Sequence, residues 1–412
     1  MIQAFCPNPA VAQRLSTGPL GTHIAPLAHQ LAAQGYAPWT AKYTMRLLAD
    51  LSGWLQHHAL TGAALDEPCV ERFLQDRYQT GSPHRNDHPI LRRLLAQLRE
   101  QGVIPLAVVA PALHAYDHIV RDFQHYLLHQ RGLKPPTIRN YLDTVRRFLG
   151  ARFGAHPLCL EALSPQDITD FMVQQTRRYS PARAKLLATA LRSFFRFLLQ
   201  RGAIVNDLAH AVPTVPNWRL TGLPRFMSAE DIDCLLQGCD RRTPHGRRDY
   251  AILLLLARLG LRAGEVVALT LEDLDWDTGE LQVRGKGART DRLPLPHEVG
   301  AALVAYLRDG RPLSTTRQVF LRMRAPVRGF ANSQGISTIV RRALARAGLN
   351  PALKGAHLLR HSLATQMLHH GASLTEIGEL LRHHDIETTR IYAKVDHGAL
   401  GALAMPWPGG EA

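Results

Sequence analysis

Lysine is scarce in this 412-residue chain. Six occur, Lys42, Lys134, Lys185, Lys286, Lys354 and Lys394, and the rest of the 49 basic residues are arginine. Arginine forks onto phosphate but keeps its proton near neutral pH, so a lysine inside a motif marks a place where a proton can be given up. Cysteine is sparse too. Cys6, Cys69, Cys159, Cys234 and Cys239 contain no CxxC pair and are odd in number, which excludes a disulfide framework and predicts reduced thiols in the cytoplasm. Long apolar runs are missing. The longest, AILLLLA from Ala251, stops at Arg258 and is too short to span a bilayer. The opening MIQAFCPNPA has neither a basic start nor an apolar core, so no secretory signal is expected. There is no GxxxxGK[ST] loop to hold ATP.

Acidic residues are outnumbered, 34 against 49, giving a net charge of +15 and a pI near 10.1. That imbalance calls for a polyanionic partner, and nucleic acid is the first expectation because each neutralised phosphate releases a counterion. A membrane surface would need a basic amphipathic helix or a lipid anchor, and neither is found. With 46% hydrophobic residues the chain can build cores, and its length suggests two to four domains.

Three blocks follow from the punctuation, with a linker rich in proline, VPTVPNWRLTGLPRF, before the third. Residues 1–108 and 109–212 read as short amphipathic helices, 213–226 as the linker, and 227–412 as a third domain with a C-terminal tail. The first two resemble each other at an offset of 97 to 100 residues: GYAPWTAKYTMRLLADLSGWL parallels GLKPPTIRNYLDTVRRFLGARF, and ALDEPCVERFLQDR parallels ALSPQDITDFMVQQ. In the second block Arg139, Arg146, Arg147, Arg183, Lys185, Arg192 and Arg196 lie on helices that also carry Tyr141, Phe194 and Phe195. A solvated basic face is the better reading of any single arginine, while together two helices with basic faces are expected to sit against a duplex, positioned by phosphate contacts. The third block is predicted mainly helical, with a small antiparallel sheet whose turns are DTG from Asp277 and GKG from Gly285.

Cleaving a phosphodiester with side chains alone needs cations for the phosphorane, an oxygen nucleophile and an acid for the departing oxygen. The third block supplies all three. Arg262 sits in LGLRAGEVVAL with Glu265 three residues on to hold it. His357 and Arg360, at i and i+3 in HLLRHS, share a helical face. Lys286 stands at a glycine-flanked hairpin tip, where its pKa can be lowered, and Arg284 and Arg289 beside it are further candidates for DNA contact. A capping box, Ser373 to Glu376, starts the helix that delivers His383. Tyr392 follows in LLRHHDIETTRIYAKV.

The order R…K…HxxR…H…Y, set in RAGE, GKG, HLLRHS and TTRIY, resembles the tyrosine recombinase (phage integrase) family from about Leu113 to Lys394. The resemblance implies helical, SAM-like core-binding domains followed by an α+β catalytic domain. It implies that Tyr392 forms a 3′-phosphotyrosyl link without metal or ATP. Arg262, Arg360, His357 and His383 then stabilise the transition state, Lys286 protonates the leaving 5′ oxygen, and Glu265 supports from behind. It also implies four protomers on two duplexes, possibly with companion recombinases, in the integration, excision or transposition of a mobile element. Two departures stand out. Arg382 replaces the glycine usual before the histidine, and His384 follows directly, so that role could slip by one residue. Block 1–108 has no counterpart in the smallest members and reads as a second core-binding domain or an arm-type or partner-contacting module.

Blander readings apply to single residues. Tyr392 alone would be a packing residue, Arg262 a capping residue and Lys286 an exposed hairpin lysine. His357 and His361 at i, i+4 have the spacing of a zinc pair, but no glutamate lies between them and no third ligand is evident, so no metal is expected. A catalytically retired DNA-binding subunit and a type IB topoisomerase are the alternatives to a recombinase. The tail residues Leu400, Leu403, Met405 and Trp407 are candidates to pack on the same or a neighbouring protomer.

Overall fold

The computed structural model describes residues 13, 15, 17–81, 84–106, 115–154, 156–216, 225–285, 290–383, 385 and 388–395. The protein is mainly helical with one three-stranded antiparallel sheet. Residues 1–107 and 222–412 form one compact unit and 108–221 another. No helix of the described residues is long and apolar enough to cross a membrane.

The two N-terminal blocks share one order of elements. The first has α1 (Gly21–Ala33), α2 (Pro38–His57), a 3-10 turn at Gly62–Ala64, α3 (Glu67–Thr80) and α4 (Asp87–Glu100). The second has α5 (Asp117–His125), α6 (Pro135–Phe153), a 3-10 turn at Leu160–Ala162, α7 (Pro165–Thr176) and α8 (Pro181–Gln200). Starts at 38 and 135, 62 and 160, and 67 and 165 keep an offset of 97 to 98. Proline at the first turn starts α2, α6, α7 and α8, where its missing N–H costs no hydrogen bond. Both blocks close alike: Gly102 and Gly202 take positive φ (71° and 67°), and the next amide bonds back to Leu98 and Leu198. Tyr43, whose hydroxyl donates to the buried Asp87, has no acidic counterpart in the second block, so the cores have diverged under one frame. Phe194 and Phe195, on the helix that also carries Arg183, Lys185, Arg192 and Arg196, are fully buried in the second block's core with Phe123 and Phe148. Aromatic rings at helical spacing were core, because they bury more apolar area than any other side chain.

The third block is built round α10 (Pro244–Arg258), preceded by α9 (Ala229–Gln237). Ser228 and Thr243 cap them, accepting from the amides of Asp231 and Gly246. Ala251 to Ala257 are all 1% exposed or less, so the apolar run is a central helix packed on every side. Then come α11 (Ala263–Ala268), β1 (Leu274–Asp275), β2 (Glu280–Arg284), β3 (Thr290–Pro294) and α12 (His297–Asp309). The sheet is ordered β1-β2-β3, with Leu274 opposite Leu281 and Arg284 opposite Thr290. Leu281, Val283 and Leu293 turn inward at period two. α13 (Gln334–Arg346), α14 (Ala356–His369), α15 (Leu374–Leu380) and a 3-10 segment, Arg390–Val395, complete the described chain.

Candidate active site

Arg262 is placed by the way α10 ends. Gly260 takes φ +58°, and the Leu261 amide reaches back to the Leu255 carbonyl at 3.2 Å, closing the helix and turning the chain. A Cβ on Gly260 would lie 2.6 Å from Leu381, so only glycine fits this close approach. Arg262 is then the N-cap of α11. Glu265 accepts from the Arg262 amide at 2.8 Å through Oε2 and from its guanidinium at 2.8 Å through Oε1. The expected support of Arg262 by Glu265 is therefore a direct ion pair.

Arg360 lies on α14 with 4% of its surface exposed. Burying a guanidinium costs several kcal/mol unless it is paired. Its Nη1 donates to the Gly260 carbonyl and its Nη2 to the Leu381 carbonyl. The same side chain therefore ties the turn before Arg262 to the end of α15. His357 sits one turn before it on α14.

The chain leaves α15 through Leu381 and Arg382, and Arg382 takes φ +54°. A non-glycine residue there costs roughly 1–2 kcal/mol. Its buried guanidinium donates to Glu265 Oε2 at 2.8 Å, and its carbonyl accepts from Arg262 Nη2 at 3.4 Å. His383 follows, its Nδ1 2.7 Å from the hydroxyl of the buried Thr389. Tyr392 is 1% exposed, packed with Ala364, Ile377 and Leu381, and its hydroxyl lies 2.8 Å from Nδ1 of His361.

The electrostatics of this cluster are one-sided. Burial, helped by the charges of Arg262 and Arg382, pulls Arg360 down to about 10, which still leaves it cationic at neutral pH. Burial opposes ionisation of Glu265, but the Arg262 amide and the charges of Arg382 and Arg262 outweigh it and hold the carboxyl below its ordinary value. Burial, with Arg360 and Arg262, lowers His357. Burial, with His357 and Arg360, lowers His361. His383 falls to about 4 through burial and the charges of Arg360 and Arg262. Burial raises the Tyr392 phenol to about 12 against a smaller pull from Arg360. The site thus holds fixed cations, neutral imidazoles and a protonated phenol, a set that can receive a phosphate and stabilise added negative charge on it.

Of the predicted residues, Arg262, Glu265, His357, Arg360, His383 and Tyr392 fall in one neighbourhood. Lys286, Arg289, His384 and the tail from 396 lie outside the described residues. Arg284 pairs with Asp273 at 2.7 Å. In the second unit Arg139, Arg146 and Lys185 are exposed. Arg147 donates to the Tyr179 hydroxyl at 2.7 Å, and Arg183 stacks over the same ring. Arg192 is spent within the fold, donating to the carbonyls of Val212 and Pro213. Sequence reasoning missed the contact of His361 with Tyr392 and the seat of His383 on Thr389. The adjacent threonines before Tyr392 were a signal for the second.

Comparison with known proteins agrees with this geometry. Residues 225–398 match the phage integrase family and residues 120–202 the N-terminal SAM-like domain of phage integrases. The chain is 44% identical to y4rA of Sinorhizobium fredii, over 95% of both chains. It is 34% identical to the tyrosine recombinase XerD of Listeria monocytogenes, over 67% of this chain and 94% of that one. The XerH site-specific recombinase bound to its difH substrate, in a post-cleavage complex, superposes with a TM-score of 0.55 at 19% identity, over 82% of this chain and 94% of that one. The chain belongs to the phage integrase family of tyrosine recombinases, enzymes of site-specific DNA recombination.

Proposed function

We propose that the chain cuts and rejoins double-stranded DNA through Tyr392. The phenolic oxygen attacks the scissile phosphorus and gives its proton to a neutral imidazole of the cluster. The bond to the 5′ oxygen breaks, Lys286 protonates that oxygen, and a 3′-phosphotyrosyl ester is left. Arg262 and Arg360 grip the phosphate, with His357 and His383 donating to it. A partner strand's 5′-hydroxyl then displaces the phenol. Each step exchanges one phosphodiester for another, so no nucleotide is consumed. The observation that carries the reading is the convergence of Arg262, Arg360, His383 and Tyr392 from three segments around the Gly260 and Leu381 carbonyls.

The division of labour follows charge. Residues 109–212 hold fourteen Lys and Arg against seven Asp and Glu, while residues 1–108 hold nine against seven. Phosphate binding therefore falls to 109–212 as the core-binding domain, with 213–226 the linker and 227–412 the catalytic domain. Residues 1–108 keep the frame without the charge and serve contacts with partner protomers. The working form is a homo-tetramer on two duplexes, alone or with companion recombinases, moving a mobile element in the cytoplasm on nucleoid DNA.

The test uses nicked suicide duplexes selected from a random pool by binding to the wild-type protein. The wild type should form a covalent adduct that Tyr392→Phe does not. No adduct from either protein leaves a DNA-binding subunit, and relaxation of supercoils without transfer to a second duplex leaves a topoisomerase.

A further inference from the structure

We propose that Arg382 is a positioning residue of the cleavage site, fixing the Arg262 guanidinium through Glu265 and the His383 loop through its own backbone. The inference rests on the reading of the reaction given above. Arg382 stands where the family usually has glycine and where φ, at +54°, favours glycine. The strained arginine is nevertheless built in. Its side chain is 6% exposed, and its guanidinium is held by the Glu265 carboxylate and the Leu380 carbonyl, so its reach is to other groups of the protein.

Those groups form a closed circuit. Arg262 Nη1 donates to Glu265 Oε1, and Arg382 Nη2 donates to Glu265 Oε2, both at 2.8 Å. Arg262 Nη2 returns to the Arg382 carbonyl at 3.4 Å. With both oxygens occupied the Glu265 carboxylate cannot turn away, and the fork it presents to Arg262 is fixed. Arg382 Nε is 3.9 Å from Asp291 on β3, the strand that follows Lys286 in the sequence. One buried guanidinium thus meets α11 through Glu265, the end of α15 through the Leu380 carbonyl at 3.2 Å, and β3 through Asp291. Each segment adjoins a group proposed for catalysis.

The experiment measures single-turnover adduct formation on the suicide duplex, at saturating protein, beside the Kd for that duplex. Arg382→Gly relieves the left-handed backbone and is expected to fold. Its Kd should stay within about twofold of wild type, while adduct formation slows by about 10- to 100-fold, the penalty of a misplaced clamp. Arg382→Lys keeps the charge and should recover part of the rate, and Arg382→Gln should not. Glu265→Gln should be slow as well, and adding Arg382→Gly to it should cost less than about threefold more, because the two act as one unit. Wild-type cleavage rates in Arg382→Gly, or in Arg382→Gln where the glycine variant fails to fold, overturn the role of Arg382. So does full multiplicativity with Glu265→Gln, or a loss seen only in Kd. A wild type that forms no adduct overturns the reaction itself, and this role with it.

Discussion

The Tyr392 hydroxyl lies 2.8 Å from Nδ1 of His361, inside an apolar pocket of Ala364, Ile377 and Leu381. The proposed nucleophile is held as a buried phenol, not as a phenolate, because burial lifts it to about 12. The difference in ultraviolet titration between wild type and Tyr392→Phe should therefore show no ionisation of this ring below about pH 11, and a step near 10 contradicts it. His361→Ala leaves the buried hydroxyl unpaired and should cost about 1–3 kcal/mol in denaturant unfolding. Adding Tyr392→Phe to it should recover part of that loss, since an apolar pair leaves nothing unsatisfied. Additive losses would mean that the pair makes no bond in solution.

Acidification should loosen the catalytic unit. His357, His361 and His383 are all held below their ordinary value of 6.5, His383 at about 4. A depressed histidine binds its proton more readily in the unfolded chain, so stability is complete above about pH 6.5 and drains as pH falls toward 4. The thermal midpoint should drop by roughly 3–10 °C between pH 7.5 and 5. His383→Asn should shrink the drop, and an unchanged slope in that variant would contradict the assignment.

The site was legible in the sequence to an uneven degree. Arg262, Glu265, His357 and Arg360 were readable because helical spacing alone fixes them: i and i+3 place Glu265 on Arg262 and His357 beside Arg360. Gly371, at φ +87°, follows the helix that carries His357 and Arg360. The offset between the first two blocks was visible because capping prolines and closing glycines recur with it. What could not be read is what depends on tertiary closure. His361 meets Tyr392 across 31 residues, and Arg382 meets Glu265 across 117, and no local pattern encodes either contact. The burial of Phe194 and Phe195 was not legible either, since basic and aromatic residues interleave equally on a nucleic-acid face and on an amphipathic core helix.

Glu265 is the counter-charge of the site, taking both Arg262 and Arg382 while 5% exposed. Its charge also partly offsets the cations that lower Arg360. Glu265→Ala should leave the buried Arg382 guanidinium uncompensated, with the more exposed Arg262 losing its partner as well, and cost about 3–5 kcal/mol, the range for breaking a buried pair from one side. Urea unfolding of the full chain measures it, and a loss below about 1 kcal/mol would show the pair to be solvated. Glu265→Gln should cost less, because the amide oxygen can still accept from the Arg262 amide.

Basic residues of the second block proposed to contact phosphate can be told from those that brace the fold. Arg139, Arg146 and Lys185 are exposed on α6 and α8. Arg192, on α8, donates to the carbonyls of Val212 and Pro213, where the chain enters the linker. Each neutralised phosphate contributes about 0.9 to the slope of log K against log salt. Arg139→Ala, Arg146→Ala and Lys185→Ala should each weaken DNA binding and lower that slope by nearly one. Arg192→Ala should leave the slope unchanged and instead speed proteolysis near Pro213, because the linker's first carbonyls lose their donor. A slope reduced by Arg192→Ala as much as by Arg146→Ala would place Arg192 on DNA and require those carbonyl bonds to break when the complex forms.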